Sequence, residues 1–306
     1  MRRQLAVLVL LACAPPAPLE PRTESSTLRV VTWNVHDLFD EVDDTVPPGD
    51  EDTVLSAVGA ESKLAQVGKV LSRLDADVFV LQEVENLALL ERLARGPLAG
   101  RGYRAELREG FDPRGIDIGV LSRLPVRWVS HLEDGGAEGS QLWARDLAEV
   151  HLGLAARPVV ILGGHLVSRL HPSEDARRLL QAERVRELAD QLRAAPALPI
   201  VLVVGDFNDL PGSVTMRPLL GDGALVDLGA MLPEADAWTW SGGGARERID
   251  YAILPEEDRG VVTRVEVVAG PEIAATSDHR PLLVDLWLDR EAGSVSSIGW
   301  QGDTDR

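Results

Sequence analysis

The sequence predicts an α+β domain in which two packed β-sheets are flanked by helices. Strand-like segments outnumber helical segments, the helices fall between groups of strands, and no internal repeat is visible. With 45% hydrophobic and 26% charged residues, the composition is that of an ordinary globular protein. The 306 residues allow one large domain or two, because length is only a soft guide to domain number.

Hydrophobic spacing predicts the first elements. The segment "LRVVTWNVHDLF" (28–39) begins as a strand, and the apolar residues of 60–74 share one helical face. The segment "DVFVLQEVEN" (77–86) predicts a buried strand. Asn86 at its end is expected to cap the helix "LALLERLAR" (87–95).

The rest of the chain predicts mostly strands and one long helix. Ser173 is expected to cap an acidic first turn, Glu174 and Asp175, which opens an amphipathic helix through about Arg193. The strand-like segments are 115–122, 126–132, 145–152, 157–167, 199–204, 247–254, 261–268 and 281–288.

The N-terminus predicts export. Two arginines precede an apolar run, Leu5–Ala12, which is typical of a signal peptide and too short to span a membrane. The run ends in "LLAC", which resembles a bacterial lipoprotein cleavage site, and Cys13 is the only cysteine in the chain. We expect a lipid anchor on Cys13 and an extracytoplasmic, membrane-anchored protein. The alternative is a plain signal peptide, with a periplasmic or secreted product.

These features divide the chain into three parts. Residues 1–26 are expected to be the signal peptide and a tether, 27–290 the folded domain, and 291–306 a loose tail. The net charge of −18 disfavours broad electrostatic attraction to nucleic acid or anionic lipid. A local basic groove or a metal-bridged polyanion remains compatible with that charge, so phosphate chemistry stays open.

Several predicted strands end in a carboxylate, an amide or a histidine. Asp206 and Asn208 follow the apolar run "PIVLVV", a position typical of either a turn or an active site. Taken singly, each such residue is more typical of a turn or of a packed core position. Their recurrence is informative, because strand ends on one edge of a sheet converge in space. The set comprises Asn34, Glu83, Asp117, His165, Asp206, Asn208, Asp209, Asp250, Asp278 and His279.

The residue types of this set fit one chemistry. Carboxylate and amide oxygens, with no thiolate available, suit a hard cation such as Mg²⁺ or Mn²⁺. Two histidines with carboxylate partners suit imidazolium or general-acid roles at a developing oxyanion. An aspartate near a metal can orient or deprotonate water for attack on phosphorus. The combination indicates metal-assisted hydrolysis of a phosphate ester.

Seven motifs, taken in order, resemble the endonuclease/exonuclease/phosphatase superfamily, which includes DNase I. They are "TWNVHDLF", "LQEVEN", "IDIGVLSR", "GHLVS", "GDFND", "RIDYAIL" and "SDHRP". The resemblance extends from about Leu28 to Leu288. It implies a four-layered α/β sandwich of the DNase I type, with two central, mostly antiparallel sheets and the site at one end of them. The first two motifs together are most similar to secreted bacterial nucleases of the superfamily.

Four positions match the metal-binding and water-activating residues of that family. Glu83 resembles the principal metal ligand, and Asn34 resembles a metal- or phosphate-proximal amide. Asp278 resembles a second metal-proximal carboxylate. Asp206 resembles the residue that positions or activates the attacking water. The cofactor that the resemblance implies is Mg²⁺, or Mn²⁺ in its place.

The remaining matches concern the phosphate. His165 resembles the first phosphate-binding or acid histidine, and Asp117 resembles its carboxylate partner. His279 resembles the second histidine, with Asp250 as its orienting carboxylate. Asn208 is similar to the amide that grips the scissile phosphate.

Other positions add to the pattern or depart from it. His36 stands where apurinic endonucleases usually carry Asp or Asn, which disfavours abasic-site repair; a position on the rim is expected for it. Arg114, in "DPRGIDIG", is a candidate phosphate contact, and a plain surface arginine is the alternative. The aromatic segment "AWTWSGGG" (237–244) is expected to stack bases or cover a sugar, or else to pack in the core.

Three functions follow as hypotheses. The first is a metal-dependent phosphodiesterase, an extracytoplasmic endonuclease whose substrate is nucleic acid, most simply DNA. The second is the same chemistry on a phospholipid head group or a small phosphoester. The third is a non-catalytic binding domain, which the loss of Glu83, Asp206 or His279 would indicate; all three residues are present.

Overall fold

The computed structural model describes residues 26–42, 53–154 and 157–288. The predicted signal peptide, the anchor at Cys13 and the tail from 291 lie outside these residues and stay predictions. Within the described part of the chain, no helix is long and apolar enough to cross a membrane.

The described residues form fourteen strands and five α-helices, with the helices placed between groups of strands. The strands are β1 (Thr27–Leu38), β2 (Val78–Val84), β3 (Arg104–Leu107), β4 (Asp117–Ser122), β5 (Val126–Val129), β6 (Ala148–Leu152), β7 (Val159–His165), β8 (Ile200–Asp206), β9 (Leu225–Asp227), β10 (Trp240–Gly242), β11 (Ala245–Glu247), β12 (Asp250–Pro255), β13 (Val262–Val267) and β14 (Leu282–Trp287). The α-helices are α1 (Ala57–Leu74), α2 (Leu87–Arg95), α3 (Asp175–Arg193), α4 (Arg217–Leu220) and α5 (Pro271–Ala274).

Two six-stranded sheets form the centre of the molecule. The first has the strand order β13-β14-β1-β2-β4-β3, and the second has the order β5-β6-β7-β8-β12-β9. Each sheet contains one parallel pair, β1 with β2 and β7 with β8, among antiparallel neighbours. Parallel neighbours need a long crossover connection, which α1 and α3 provide. The hairpin β10–β11 forms a separate two-stranded sheet.

The two sheets pack face to face, and helices cover both outer faces. Val80 and Leu202 belong to the core between the sheets. Phe79, the neighbour of Val80, packs in a second core with α1 and α2. Val203, the neighbour of Leu202, packs in a third core with α3. Because both faces of β2 and β8 are buried, these strands are apolar at successive positions. The predicted four-layered α+β sandwich is confirmed.

The two predicted helix caps differ in outcome. The side chain of Asn86 accepts a hydrogen bond from the Leu89 nitrogen at 2.9 Å, as expected of a cap. The prediction for Ser173 was wrong, because α3 begins at Asp175 after a short 3-10 turn, Pro172–Glu174. Proline favours the first position of a helical turn, so the turn starts before Ser173 and encloses it.

Candidate active site

Strand register brings Asp206 beside a histidine and a second aspartate. In the parallel pair β7–β8, His165 lies opposite Asp206. In the antiparallel pair β8–β12, Asp250 lies opposite Asp206. All three side chains are buried at the same end of the second sheet. The convergence expected of strand ends is therefore observed for these three residues.

His279 reaches the same point from the segment between α5 and β14. Its Nδ1 lies 2.9 Å from Oδ2 of Asp250, and its Nε2 lies 3.7 Å from Oδ2 of Asp206. His165 has its own Nε2 at the same distance, 3.7 Å, from that oxygen of Asp206. Two buried histidines thus approach one buried carboxylate.

The surroundings drive these two histidines to opposite protonation states. Burial, together with the charges of Arg145 and Arg114, lowers the pKa of His165 well below its usual range. Burial by itself would also lower the pKa of His279, but the charges of Asp250 and Asp206 outweigh it and raise that pKa to about 10. At neutral pH, His165 is a neutral imidazole and His279 is an imidazolium.

Asp206 has the properties of a proton acceptor. Burial and the charge of Asp250 raise the pKa of Asp206 to about 7. Its Oδ1 accepts a hydrogen bond from the Asn208 nitrogen at 2.9 Å, and its Oδ2 accepts one from Nδ2 of Asn34 at 3.1 Å. A carboxyl that titrates near neutral pH can both take up and release a proton during turnover.

Glu83 enters the site because β2 is irregular at that residue. The register against β1 and β4 shifts there, and Glu83 has φ +63°. In a regular strand Glu83 would share the outer face with Phe79, whereas a bulge re-aims the side chain. Its Oε1 accepts from Nδ2 of Asn34 at 3.1 Å, and its Oε2 accepts from the Asp37 nitrogen at 2.9 Å. Burial opposes ionisation, but the hydrogen bond from Asn34 contributes to holding the pKa of Glu83 below its usual range.

Left-handed backbone conformations cluster at this end of the molecule. Six described residues other than glycine have positive φ, and four of them, His36, Asp37, Glu83 and Asn208, line one cleft. Each such conformation costs on the order of 1–3 kcal/mol and persists only where the surrounding structure enforces it. The cluster makes this cleft the candidate functional site.

The cleft has a volume of 670 Å³. Most of the predicted site residues line it, namely Glu83, Arg114, His165, Asp206, Asn208, Asp278 and His279. Asn34 does not, because it is 1% exposed and its amide nitrogen bridges Glu83 and Asp206. Asp250 is equally buried and contacts His279.

Two carboxylates of the cleft, Asp37 and Glu83, lie together and repel each other. Burial and the charge of Glu83 raise the pKa of Asp37. Oδ1 of Asp37 is buried and accepts no hydrogen bond among the described residues; the nearest guanidinium nitrogen, on Arg114, is 3.5 Å away. A bound cation would relieve both the repulsion and the unsatisfied oxygen, and carboxylate oxygens suit Mg²⁺ or Mn²⁺. The residues present therefore fit a divalent metal at this end of the cleft.

Asp278 faces the cleft, with Trp240 at one of its oxygens and the imidazole of His36 at the other. Oδ2 accepts from Nε1 of Trp240 at 2.8 Å, and Oδ1 lies 2.8 Å from Nδ1 of His36. Burial would raise the pKa of Asp278, yet the hydrogen bond with His36 contributes to lowering it to about 2. The same hydrogen bond raises the pKa of His36. His36 is exposed at the edge of the cleft, as expected of a rim residue, and also pairs with Asp278.

A second group also brings ligand-type atoms together. Asp206, Asp250 and His279 hold such atoms within 4.8 Å of one another. An imidazolium has no lone pair for a cation, so His279 is unsuited to metal binding while it carries its proton. This group is better suited to holding protons, and the pair Asp37–Glu83 to holding a cation.

Arg145 is, with Asp37, a site residue that the sequence pattern did not single out. Its Nε and Nη2 donate to the carbonyls of His165 and Leu166 at 3.3 and 3.2 Å, and its Nη1 lies 2.5 Å from Oδ2 of Asp112. It thereby ties the end of β7 to the loop that carries Arg114. The available signal was a single arginine inside the largely apolar segment "LWARDLA".

Asp117 is not the partner of His165, and that prediction was wrong. Both of its carboxylate oxygens accept from the Gly110 nitrogen, at 2.9 and 3.0 Å. Nδ1 of His165 is buried and has no hydrogen-bond partner in the described residues. The carboxylate of Asp117 is engaged instead by the loop between β3 and β4, which carries Gly110. Burial raises the pKa of Asp117 to about 8.

The comparison with family models identifies the class of protein. The model of the Endonuclease/Exonuclease/phosphatase family matches residues 31–279, so the chain belongs to this family. A search among curated protein sequences returned no significant match.

Solved structures of the same fold are distant in sequence. D. rerio TDP2 complexed with single strand DNA product has a TM-score of 0.59 and 19% identity, over 85% of this chain and 98% of that chain. The human Nocturnin catalytic domain with bound sulfate anion has a TM-score of 0.61 and 17% identity, over 85% and 94%. An endonuclease/exonuclease/phosphatase family protein from Bacteroides thetaiotaomicron has a TM-score of 0.55 and 16% identity, over 85% and 94%. At these identities the likeness shows the fold.

Proposed function

We propose that the protein is a metal-dependent phosphodiesterase that hydrolyses nucleic acid by attack of water on phosphorus. The observation that carries the proposal is that one cleft contains both a proton-transferring group of residues and a cation-binding pair of carboxylates. The buried chain Asp206–His279–Asp250 can hold and move protons. The carboxylate pair Asp37–Glu83 can hold a cation. Membership of the Endonuclease/Exonuclease/phosphatase family supports this assignment.

Asp206 takes the proton of the attacking water in this mechanism. Its pKa of about 7 leaves a large carboxylate fraction at neutral pH and still makes the carboxylate a useful base. Asn34 donates hydrogen bonds to both Asp206 and Glu83, so it fixes the base relative to the cation-holding residues. Asn34 therefore acts as a positioning residue through its amide nitrogen.

His279 supplies positive charge and a proton to the phosphate oxygens. Asp250 engages its Nδ1, which leaves the Nε2–H to donate to an oxygen on which negative charge develops. His165 is neutral and offers a hydrogen bond only, so the proton for the leaving oxygen comes from His279. Asn208 uses one amide N–H on the Leu166 carbonyl at 3.0 Å and has a second for the phosphate.

Glu83 and Asp37 are assigned as the residues that would bind the divalent cation. A divalent cation bound there would polarise the phosphate and neutralise part of its charge. Asp278 is held by His36 and Trp240, so it shapes the wall of the cleft beside the cation.

Nucleic acid, most simply DNA, is the proposed substrate. Four arginines line the cleft, and their guanidinium groups are planar donors suited to the phosphate oxygens of a polyanion. They are Arg114, Arg145, Arg169 and Arg177. The DNA product held by D. rerio TDP2 supports the same class of substrate for a protein of this fold. The N-terminal segment supports an extracytoplasmic location, with Cys13 as the proposed lipid anchor.

One observation favours a phospholipid head group or a small phosphoester instead. Leu170 is 82% exposed and Phe111 is 55% exposed, and each adjoins a loop that lines the cleft. Exposed apolar side chains beside a phosphate site suit a substrate with an apolar part.

The test uses the purified full-length protein with supercoiled plasmid and, in parallel, with bis-p-nitrophenyl phosphate. We expect nicking in Mg²⁺ or Mn²⁺, none in EDTA, and a loss of about a hundredfold or more in Asp206→Asn. Asp209→Asn is the matched control, because Asp209 lies three residues further on, pairs with Arg178 and is not among the residues lining the cleft.

Each other outcome decides between the hypotheses. Cleavage of the small diester with intact plasmid would favour the phospholipid or small-phosphoester substrate. Inactivity on both, in either metal, would contradict catalysis and favour a binding domain. Equal losses in Asp206→Asn and Asp209→Asn would contradict the role given to Asp206.

A further inference from the structure

A cluster of positive charge stands beside the cleft, where Arg246 of β11 and Arg280, which precedes β14, meet Trp238. The guanidinium carbons of Arg246 and Arg280 lie 4.6 and 3.1 Å from the ring centroid of Trp238. Arg246 is exposed, and Trp238 and Arg280 are half-buried. The two guanidinium groups therefore share one indole and remain accessible to solvent.

This cluster lacks the neutralising carboxylate partners that two neighbouring arginines have. Arg169 and Arg248, on either side of it in the fold, pair with Glu247 and Asp227. Neither Arg246 nor Arg280 has a carboxylate oxygen within 4.0 Å in the described part of the chain. Burial and then the charge of Arg246 lower the pKa of Arg280, while Asp236 raises it. Two like charges are thus held together against their repulsion, in a protein of net charge −18.

The cluster is joined directly to the proposed catalytic residues. Arg280 follows His279 in the chain, and the backbone of His279 forms a bridge with Trp240. The Ser241 nitrogen donates to the Asp278 carbonyl at 3.0 Å, and the side chain of Trp240 lines the cleft. A strand whose scissile phosphate lies at His279 would pass close to the hairpin β10–β11.

We propose that Arg246 and Arg280, held on Trp238, bind a phosphate group of the nucleic acid strand next to the scissile phosphate. The inference rests on the proposed function and deepens it. Guanidinium groups are suited to phosphate, because their planar donors match its oxygens. The indole is already covered by guanidinium groups, so it orders the arginines and is not a platform for a base. For Trp238, this role replaces the base stacking expected of the segment 237–244.

The test measures binding of a fluorescein-labelled single-stranded oligothymidylate by anisotropy, in EDTA and over a range of salt concentration. Arg246→Ala is compared with Arg104→Ala. Arg104 is likewise exposed and has no carboxylate within 4.0 Å among the described residues. It pairs with Ser122, at the opposite end of β4 from Asp117 and the cleft. Both variants remove one exposed positive charge, and only the first removes it from the cluster.

Arg246→Ala is expected to raise the Kd about three- to tenfold and to lower the slope of log K against log salt by about one. Arg104→Ala is expected to leave the Kd within about twofold. Arg246→Lys keeps the charge and loses the planar fork, so its Kd should fall between those of the parent and of Arg246→Ala. Equal Kd values for Arg246→Ala and Arg104→Ala would overturn the proposal.

Hydrolysis of bis-p-nitrophenyl phosphate separates this inference from the proposed function. The small diester has no neighbouring phosphate, so Arg246→Ala should hydrolyse it at the parent rate. If the parent cleaves the diester and binds no oligonucleotide, the proposed phosphate subsite is contradicted and the proposed phosphodiesterase activity is supported. If the parent cleaves neither substrate and Arg246→Ala still weakens oligonucleotide binding, the phosphate subsite is supported and the proposed catalytic activity is contradicted.

Discussion

His165 and His279 make a controlled comparison, because they are equally buried and equally distant from Asp206. They are 4% and 6% exposed, and each Nε2 lies 3.7 Å from the same carboxylate oxygen. Yet the pKa of His165 lies well below its usual range, and that of His279 is about 10. Burial disfavours the imidazolium in both, so burial does not explain the difference.

The difference lies at the other ring nitrogen. Asp250 lies 2.9 Å from Nδ1 of His279, while Nδ1 of His165 has no hydrogen-bond partner among the described residues and Arg145 and Arg114 add positive charge nearby. The nearby carboxylates, Asp250 first, keep the proton on His279, because an opposite charge favours the ionised form strongly at a buried group. The site thereby obtains a charged donor and a neutral donor from the same residue type.

The largest effect is expected from Asp250→Asn, which removes the charge that protonates His279. The pKa of His279 should fall from about 10, and kcat/KM at neutral pH should drop by about a hundredfold or more. Because the imidazolium then forms only in more acidic solution, part of the activity should return as the pH is lowered. A pH–rate profile on bis-p-nitrophenyl phosphate checks this. A profile with the parent's shape would contradict the role of Asp250.

A smaller loss is expected from His165→Gln, because the neutral imidazole supplies a hydrogen bond and no charge. We expect about a tenfold decrease in kcat, with the alkaline limb of the pH profile unchanged. His151→Gln is the control, since His151 lies on β6 and pairs with Glu149. If His165→Gln lost more activity than His279→Gln, the division of roles between the two histidines would be wrong.

The free energy of unfolding should depend on pH through both histidines, and their two contributions should change in opposite directions as the pH rises. In EDTA, His279 contributes stability that is fully present below its ordinary pKa of 6.5 and is lost as the pH rises through about 10. His165 has a lowered pKa, so its contribution is present above 6.5 and is lost as the pH falls below that value. Urea unfolding across this range should show a flatter alkaline side for His279→Gln and a flatter acid side for His165→Gln. The same pH dependence in both variants would contradict the assigned protonation states.

The smallest effect is expected from Asp117→Asn. The amide oxygen can still accept from the Gly110 nitrogen, and no contact links Asp117 to His165. We expect kcat within about twofold of the parent and an unchanged acid limb of the pH profile. A large loss of activity would restore the pairing of Asp117 with His165.

Sequence alone located most of the residues that line the cleft. Strand ends are visible as apolar runs that stop at a polar residue, and Asp206, Asn208 and His165 each follow such a run. The site pair His279–Asp250 was expected from motif resemblance, and the structure places its atoms 2.9 Å apart. Asp37 was missed because its role depends on a left-handed backbone conformation, and Arg145 was missed because its role depends on burial. A residue pattern records neither property.

Sequence by itself determined the layered α+β architecture and the chemistry available at its strand ends, because hydrophobic period and residue type act locally along the chain. Only the tertiary structure decided which groups meet. The strand pairing places Asp250, not Asp117, in a histidine site, and the bulge at Glu83 turns its carboxylate toward Asp37. It also decided the protonation states, because a pKa depends on the charges and the burial around a group, and residues far apart in sequence supply both.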